Sequence, residues 1–526
     1  MIFRKRIIVG ILQVIIASFP FIAVAQELKP QIINGMFKPD SNSLKQYKCP
    51  EWFQDAKFGI WSHWGPQSVP MFGDWYARRM YIEGSKVYNY HLKTYGHPSK
   101  FGYKDIIALW KAEKWNPDKL MDLYVKVGAK YFVSMGAHHD GFDLWNSKHN
   151  PWNAYTMGPK RDIVGEWATA ARKRGLRFGI SEHFARAYNW MGLSHGSDKE
   201  GNYAGVPYDG NDPKYADLYF PPKLDDNGDR YPVKPPTWWQ KKWFDRMEDA
   251  IINYQPDFLY SDGAIPMGNT GRLLLSDFYN QNIQWHKGKL EAVYTFKNVG
   301  ADWGEYIEGA GVHDEEQSIL PEIKKDPWQT DTSLSNWFYD ANFKNKENGQ
   351  MYYSAGRIVR LLSDIVSKNG NLLLNVTQLP DGSIEPEAIT ILEQLGKWMK
   401  INGEAIFATR PWFTYGEGPS TNIKDDIKNE LFNINKFQYT EKDFRFTRTK
   451  DRKNLFVIGL IWPQDPNITI KTLVNENVAI SDIKLLGYDK KITWKQTKDG
   501  LQITLPQTKP SDLAYALKIT VSHLRL

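Results

Sequence analysis

Between about Trp52 and Gly403, short apolar runs alternate with amphipathic stretches, and this rhythm constrains the fold more than any other feature of the chain. The runs are Phe58-Gly59-Ile60-Trp61, Tyr131-Phe132-Val133-Ser134-Met135, Arg177-Phe178-Gly179-Ile180, Phe258-Leu259-Tyr260 and Leu372-Leu373-Leu374, and they read as strands. Helical patterns lie between them. Pro117 to Gly128 sets Leu120, Leu123, Tyr124 and Val127 on one face, and Asp162 to Gly175 ends in a basic turn with Gly as its stop. Trp238 to Tyr254 and Ile358 to Lys368 repeat the pattern, the latter closed by Asn369-Gly370. Strand–helix alternation on this scale predicts an α/β fold, a (β/α)8-like parallel barrel over residues 26–408. After about Thr409 the texture becomes one of short strands and turns: residues 432–434, 444–446, 455–458, 468–470, 483–485, 492–494, 501–503 and 517–519. That spacing predicts a C-terminal all-β sandwich over residues 409–526.

In such a barrel, functional groups sit at the C-terminal ends of strands. Here those ends are polar: Ser62-His63-Trp64-Gly65, His138-His139-Asp140-Gly141, Ser181-Glu182-His183 and Ser261-Asp262-Gly263. A lone histidine is usually structural, but four near successive strand ends converge on a shared pocket. One chemistry for it is a metal site, since imidazoles and carboxylates are metal ligands. Against this, adjacent His138 and His139 on a regular strand point to opposite sides. The other is sugar recognition with two carboxylates, one attacking and one protonating the leaving oxygen. With 21 Trp and 28 Tyr in the chain, aromatic density favours sugar, because ring faces pack on sugar C–H groups while indole and phenol tips reach hydroxyls. The segment from Asn202 to Pro236, rich in Gly, Pro, Asp and Tyr, reads as a long loop that follows a strand and roofs the site.

The segment from Trp52 to Gly65, WFQDAKFGIWSHWG, resembles the opening barrel segment of family 29 glycoside hydrolases, the α-L-fucosidases. Asp74-Trp75-Tyr76 and His138-His139-Asp140-Gly141-Phe142 are similar to that family too. So is the late segment from Asp364 to Val376, DIVSKNGNLLLNV, with Asp381-Gly382 after it. The matches run in the family's order from about Trp52 to Trp412.

The resemblance implies a retaining exo-α-L-fucosidase acting on fucosylated oligosaccharides, with no metal or organic cofactor. Pro256-Asp257-Phe258-Leu259-Tyr260-Ser261-Asp262-Gly263 matches the family's nucleophile setting and assigns that role to Asp262. The acid/base lies upstream of a Trp-Glu/Gln-Thr motif, here Trp328-Gln329-Thr330, so it falls in His313-Asp314-Glu315-Glu316. Glu316 is the choice, with Glu315 and Asp314 as rivals. The family's hydroxyl-binding histidines correspond to His63, His138 and His139, and its aromatic-acidic pair to Asp74 and Trp75. Tyr260 stands where Trp is common. Two departures concern the sugar: Glu182-His183 replaces a frequent Tyr pair, which places His183 in the pocket, and Lys297 stands in the region of a frequent Arg. A lysine cannot form the same planar fork. Preference for fucose over a related sugar such as L-galactose stays open. A metal-dependent barrel hydrolase and a catalytically degenerate sugar-binding protein are the rival readings.

The ends and the composition set the compartment. Arg4, Lys5 and Arg6 precede the apolar stretch Ile7 to Val24, and Ala23-Val24-Ala25 supplies small residues for cleavage, so residues 1–25 read as a secretory signal peptide. Its removal lowers the formal net charge from +7 to +4, and no dense basic cluster stands out, which disfavours nucleic acid as a partner. No other apolar stretch is long enough to span a bilayer, so stable membrane insertion is not expected. A secreted, periplasmic location follows. The single Cys49 excludes an internal disulfide framework and reads as a tolerated thiol.

Overall fold

The computed structural model describes residues 33, 35–221, 235–299, 304–421, 432–433 and 438–525. The signal-peptide segment and residues 222–234 of the predicted loop lie outside the described residues.

Eight strands close a parallel barrel in chain order: β1 (Phe58–Ser62), β2 (Tyr131–Ala137), β3 (Arg177–Glu182), β4 (Phe258–Ser261), β5 (Val293–Phe296), β6 (Val312–Glu316), β7 (Trp328–Ser333) and β8 (Gly370–Asn375). Each pairs in parallel with the next, and β8 returns to β1 through Phe58↔Leu372 to Trp61↔Asn375. Six helices cover the outside: α1 (Pro117–Val127), α2 (Ile163–Lys173), α3 (Thr237–Tyr254), α4 (Asn269–Trp285), α5 (Ala355–Ser367) and α6 (Pro386–Asn402). Their starts follow local chemistry. Asn116, Asp162 and Ser354 each accept the backbone N–H three residues on, and Pro117 opens α1 without wasting a donor. The buried stripe of α1 is Met121, Tyr124 and Val127; Leu120 and Leu123 lie half-buried on its flank. The connections β5–β6 and β6–β7 carry no helix among the described residues, so the barrel departs from a strict eightfold βα repeat there.

The barrel's interior changes character along its axis. Near the N-terminal ends of the strands it is aromatic, with Phe53, Tyr131 and Phe258 in mutual ring contact. Gly59 makes room for this plug, since a Cβ there would meet the Tyr131 ring at 2.3 Å. Further up it turns polar: Tyr131 Oη donates to Gln329 Oε1 at 3.0 Å, and Gln329 Nε2 donates to Asp314 Oδ1 at 2.8 Å. Strands β6 (VHDEE) and β7 (WQTDTS) therefore hold charged and amide groups where a barrel core normally holds aliphatics.

Beyond α6, two antiparallel sheets face each other. One has five strands, ordered β9 (Arg410–Glu417), β10 (Phe444–Arg448), β11 (Asn454–Gly459), β16 (Tyr515–Leu524) and β13 (Val478–Leu485). The other has β12 (Asn467–Ile470), β15 (Gly500–Thr504) and β14 (Thr493–Thr497). Trp412, Phe446, Val457, Ile470, Leu501 and Leu517 belong to the core between them. This sandwich is locked to the barrel by buried charge. Asp364 of α5 accepts from Lys368 Nζ at 2.7 Å and from Arg445 Nε of β10 at 2.5 Å, all three nearly sealed from solvent. Burial opposes ionisation of Asp364, but the two cations hold its carboxyl below the ordinary range. The late barrel signature thus contains a joint between domains. No helix among the described residues is long and apolar enough to cross a membrane.

Candidate active site

Every barrel strand presents a polar group at its C-terminal end, and eight residues from seven of the strands surround one pocket: His63 after β1, His138 and His139 after β2, His183 after β3, Asp262 after β4, Lys297 after β5, Glu316 ending β6 and Asn375 ending β8. The expectation that His138 and His139 diverge does not hold. Strand β2 ends at Ala137, and beyond it the two rings lie 4.3 Å apart, centroid to centroid. Trp337, His63, His138, His139 and Trp75 form a continuous row of rings with successive spacings of 5.6, 4.9, 4.3 and 5.8 Å. Trp75 sits in the left-handed region (φ 63°), which turns its ring toward His139. A wall of this kind offers apolar faces and N–H tips together, the combination a pyranose requires.

Hydrogen bonding fixes the imidazole tautomers. Gln67 Nε2 donates to His138 Nδ1 at 2.7 Å, so the His138 proton sits on Nε2, 3.8 Å from Asp74 Oδ1. His139 Nδ1 donates to the His183 carbonyl, and its Nε2 accepts from Arg186 Nη2 at 3.1 Å. Trp61 Nε1 donates to Ser181 Oγ at 3.1 Å, which lies 3.3 Å from His183 Nε2. The Ser181 proton then goes to His183 Nε2, and His183 Nδ1–H faces Asp262 Oδ2 at 3.4 Å. Burial, together with neighbouring imidazoles and cations, holds all four rings below the usual histidine range, so they are neutral. Neither ring nitrogen of His63 has a protein partner, although the residue is buried.

Asp262 lies at the centre. Its Oδ1 is 2.9 Å from Lys297 Nζ and its Oδ2 is 2.8 Å from Arg186 Nη2. Burial pushes its carboxyl up, but Lys297 first, with the His183 N–H, holds it well below the ordinary range. Lys297 is pushed upward in turn by Asp262 and Glu316 against the effect of burial, so it stays charged. It also reaches Glu316 Oε2 at 2.6 Å. Two contacts of 2.9 and 2.6 Å to one ammonium place those carboxylate oxygens at most 5.5 Å apart.

Strand alternation separates the three acidic candidates of β6. Glu315 is on the outer face, hydrogen-bonded to His313 Nε2 at 2.5 Å. Asp314 points inward but one layer down, fully buried and tied to Gln329, with its carboxyl raised to about 6 by burial. Glu316 points inward at the rim and keeps 44 % of its side-chain surface exposed. The same alternation on β3 sends His183 inward and Glu182 outward, where Trp243 Nε1 of α3 and Ser261 Oγ donate to it at 3.3 and 3.1 Å. Glu182 is raised to about 7, by burial first and also by the Asp262 charge. Tyr260 forms the floor, 1 % exposed, donating to Asp331 Oδ2 at 2.6 Å with Lys297 Nζ 5.6 Å above its ring. Asp74, raised to about 7 by burial, closes the pocket beside His138.

Among the described residues, two groups bring ligand atoms within 4.8 Å of one another, His138–His139–His183 and His63–Asp74–His138. Their lone pairs are poorly placed for a cation. The His138 nitrogen toward Asp74 carries a proton, and the free nitrogen of His139 already accepts from a guanidinium. This donor set suits hydroxyl groups, which both donate and accept, better than a divalent ion. Four residues of the site were not singled out by sequence: Arg186, Trp337, Asn375 and Gln67. Asn375 accepts His63 N–H at 3.0 Å and donates to the Trp337 carbonyl at 3.0 Å, which places both rings. Arg186 follows His183 by three residues, a proximity that is its one signal in the sequence.

Residues 24–404 match the α-L-fucosidase family model, and residues 438–520 match the α-L-fucosidase C-terminal domain model. The chain belongs to the α-L-fucosidase family of glycoside hydrolases. Human tissue α-L-fucosidase is 28 % identical over 515 residues, 95 % of each chain, and human plasma α-L-fucosidase is 28 % identical over 505 residues, 92 % of each. Among solved structures, Thermotoga maritima α-fucosidase in complex with fucose superposes with a TM-score of 0.67 at 26 % identity, covering 92 % of this chain and all of that one. The same enzyme with a mechanism-based inhibitor gives a TM-score of 0.68 at 27 % identity over the same coverage.

Proposed function

We propose that this α-L-fucosidase is a retaining exo-enzyme that removes terminal α-L-fucosyl residues from oligosaccharides or glycoconjugates, with Asp262 as nucleophile and Glu316 as acid/base. The observation that carries the reading is the single ammonium of Lys297 held between the two carboxylates, their facing oxygens no more than 5.5 Å apart. Retaining glycosidases hold their carboxyl pair about 5–5.5 Å apart, whereas inverting ones need about 6.5–9.5 Å to admit a water. Asp262 is ionised, as a nucleophile must be, and half-buried, and Glu316 stands at the rim where a leaving oxygen and then a water arrive. His63, with both ring nitrogens unpartnered, His138 and Asp74 bind the sugar hydroxyls, and Trp75 and Trp337 flank the ring. That a relative has been solved with a mechanism-based inhibitor supports the covalent route.

The test is a pair of variants assayed on an aryl α-L-fucoside and on a fucosylated oligosaccharide. Asp262→Ala should lose on the order of 10³-fold or more in kcat/KM on both, with azide restoring turnover and giving a glycosyl azide of inverted configuration. Glu316→Ala should suffer far less on the aryl substrate, whose leaving group needs little protonation, than on the oligosaccharide. Full activity of Asp262→Ala, or equal losses for Glu316→Ala on both substrates, would overturn the respective role. Export with cleavage after Ala25 completes the reading; N-terminal sequencing of the periplasmic protein should begin at Gln26, and a chain still starting at Met1 would refute it.

A further inference from the structure

The two oxygens of Asp262 are held unequally. Oδ1 meets one flexible ammonium, Lys297 Nζ at 2.9 Å, which keeps a second partner in Glu316. Oδ2 meets three nitrogens: Arg186 Nη2 at 2.8 Å, His139 Nε2 at 3.3 Å and His183 Nδ1 at 3.4 Å. Arg186 is only 5 % exposed and ends the turn Phe184–Arg186 that leaves β3. That turn is pinned at both sides, with Trp239 Nε1 donating to the Ala185 carbonyl at 2.7 Å and Ala185 N–H donating to Glu182 Oε2 at 3.3 Å. A guanidinium presents its donors in a planar fork suited to a carboxylate.

We propose that Arg186 divides the labour between the two oxygens: Oδ1 attacks, while Oδ2 stays under the guanidinium as the carbonyl oxygen of the glycosyl ester, and Arg186 draws the carboxylate out of that ester in the second step. The inference rests on the reading of Asp262 as nucleophile. Freeing Oδ1 requires one lysine to swing aside; freeing Oδ2 requires two buried donors, Arg186 Nη2 and His183 Nδ1, to withdraw, with the His139 ring packed against them. In the first step an Oδ1 lone pair forms the bond to the anomeric carbon. The bond from that carbon to the aglycone oxygen breaks, its pair stays on that oxygen, and Glu316 supplies the proton. In the second step a water oxygen bonds to the anomeric carbon and gives its proton to Glu316. The C–Oδ1 pair returns to the carboxylate, whose charge spreads onto Oδ2. Carboxylate charge is consumed in the first step and regenerated in the second. A cation on Oδ2 therefore favours the second transition state over the ester, and favours the free carboxylate over the first.

The experiment compares Arg186→Met and Arg186→Lys with the parent enzyme on a dinitrophenyl α-L-fucoside, for which the first step is fast. Arg186→Met should lose about 10²-fold in kcat, the scale for removing one preorganised donor, with KM falling in parallel so that kcat/KM changes far less. A burst of phenolate equal to the enzyme present should appear. Acid-quenched digests should show one added fucosyl residue on the peptide containing Asp262. Arg186→Lys should recover part of kcat. Loss of kcat with KM unchanged or raised, and with neither burst nor adduct, would overturn the proposal, as would unchanged kcat. Cooperative melting and fucose binding by calorimetry check folding; should Arg186→Met fail there, Arg186→Lys must show the same split in smaller measure or the proposal falls. If Asp262→Ala remains active, the nucleophile assignment itself is wrong. If Asp262→Ala is inactive and azide-rescued while the Arg186 variants show no adduct, this inference alone is wrong.

Discussion

Replacing Glu182 by Gln should stabilise the protein at alkaline pH and leave it unchanged in acid. Glu182 is 4 % exposed on the outer side of β3, and burial there raises its carboxyl from 4.5 to about 7. Each tenfold change in proton affinity is worth 1.36 kcal/mol, so the linkage amounts to about 3 kcal/mol. The sign follows from the direction of the shift. A folded-state value above the unfolded one means that the stabilisation is fully present below pH 4.5 and is lost progressively as pH rises to about 7. Glutamine imitates the protonated acid: its amide oxygen accepts from Trp243 Nε1 and Ala185 N–H, and its NH₂ donates to Ser261 Oγ, which turns its own proton to the Ala264 carbonyl 3.3 Å away. Melting at a fixed scan rate from pH 4.5 to 8.5 measures the difference. The two proteins should melt together at the acid end. At pH 8 the variant should lead by about 3 kcal/mol, on the order of 5 °C for a chain of this size. A difference that does not grow with pH, or a variant less stable at pH 8, would refute the reasoning, because it would mean that the buried carboxyl ionises without penalty.

Two further outcomes are expected. Asp74, raised to about 7 by burial, accepts sugar hydroxyls when ionised, so KM for an aryl fucoside should rise as pH falls through about 7, while Asp74→Asn should show a high KM that does not vary with pH; a parallel pH dependence in the variant would refute the assignment. Arg445→Met removes one of the two cations from buried Asp364 and should cost about 3–5 kcal/mol in a denaturant titration, with activity near the parent's in whatever fraction stays folded; a loss under 1 kcal/mol would show that Lys368 alone suffices.

Strands whose side chains are apolar on both faces, such as β1, β2 and β8, declare themselves in the sequence, because a run like Leu372-Leu373-Leu374 has little other use than burial between helices and barrel interior. Strands β6 and β7 do not. VHDEE and WQTDTS carry the site's chemistry on their inward face, so the pattern that marks a strand is the pattern the function displaced. Likewise His63, His138 and Asp262 stood out as polar groups ending apolar runs, while Asp74 was legible only through the family resemblance. Arg186 sits on a turn, where no periodicity points to it, and its role comes from packing by Trp239 and Glu182. The apolar stripe of α1 was legible in kind but shifted by one position, Met121 replacing Leu120, since a helix's burial is decided by the neighbour it meets.

By itself the sequence determined the fold class, the family and the convergence of histidines and carboxylates at strand ends, because each depends on local pattern or on motifs in order. Only the tertiary structure decided which of Asp314, Glu315 and Glu316 stands at the rim, which way Glu182 and His183 face, and that Lys297 and Arg186 hold opposite oxygens of Asp262. The physical reason is that a strand turns successive side chains to opposite faces, and a slip of one residue exchanges pocket for exterior. Distances between charges on different strands are fixed by barrel closure, a property that no stretch of chain possesses alone.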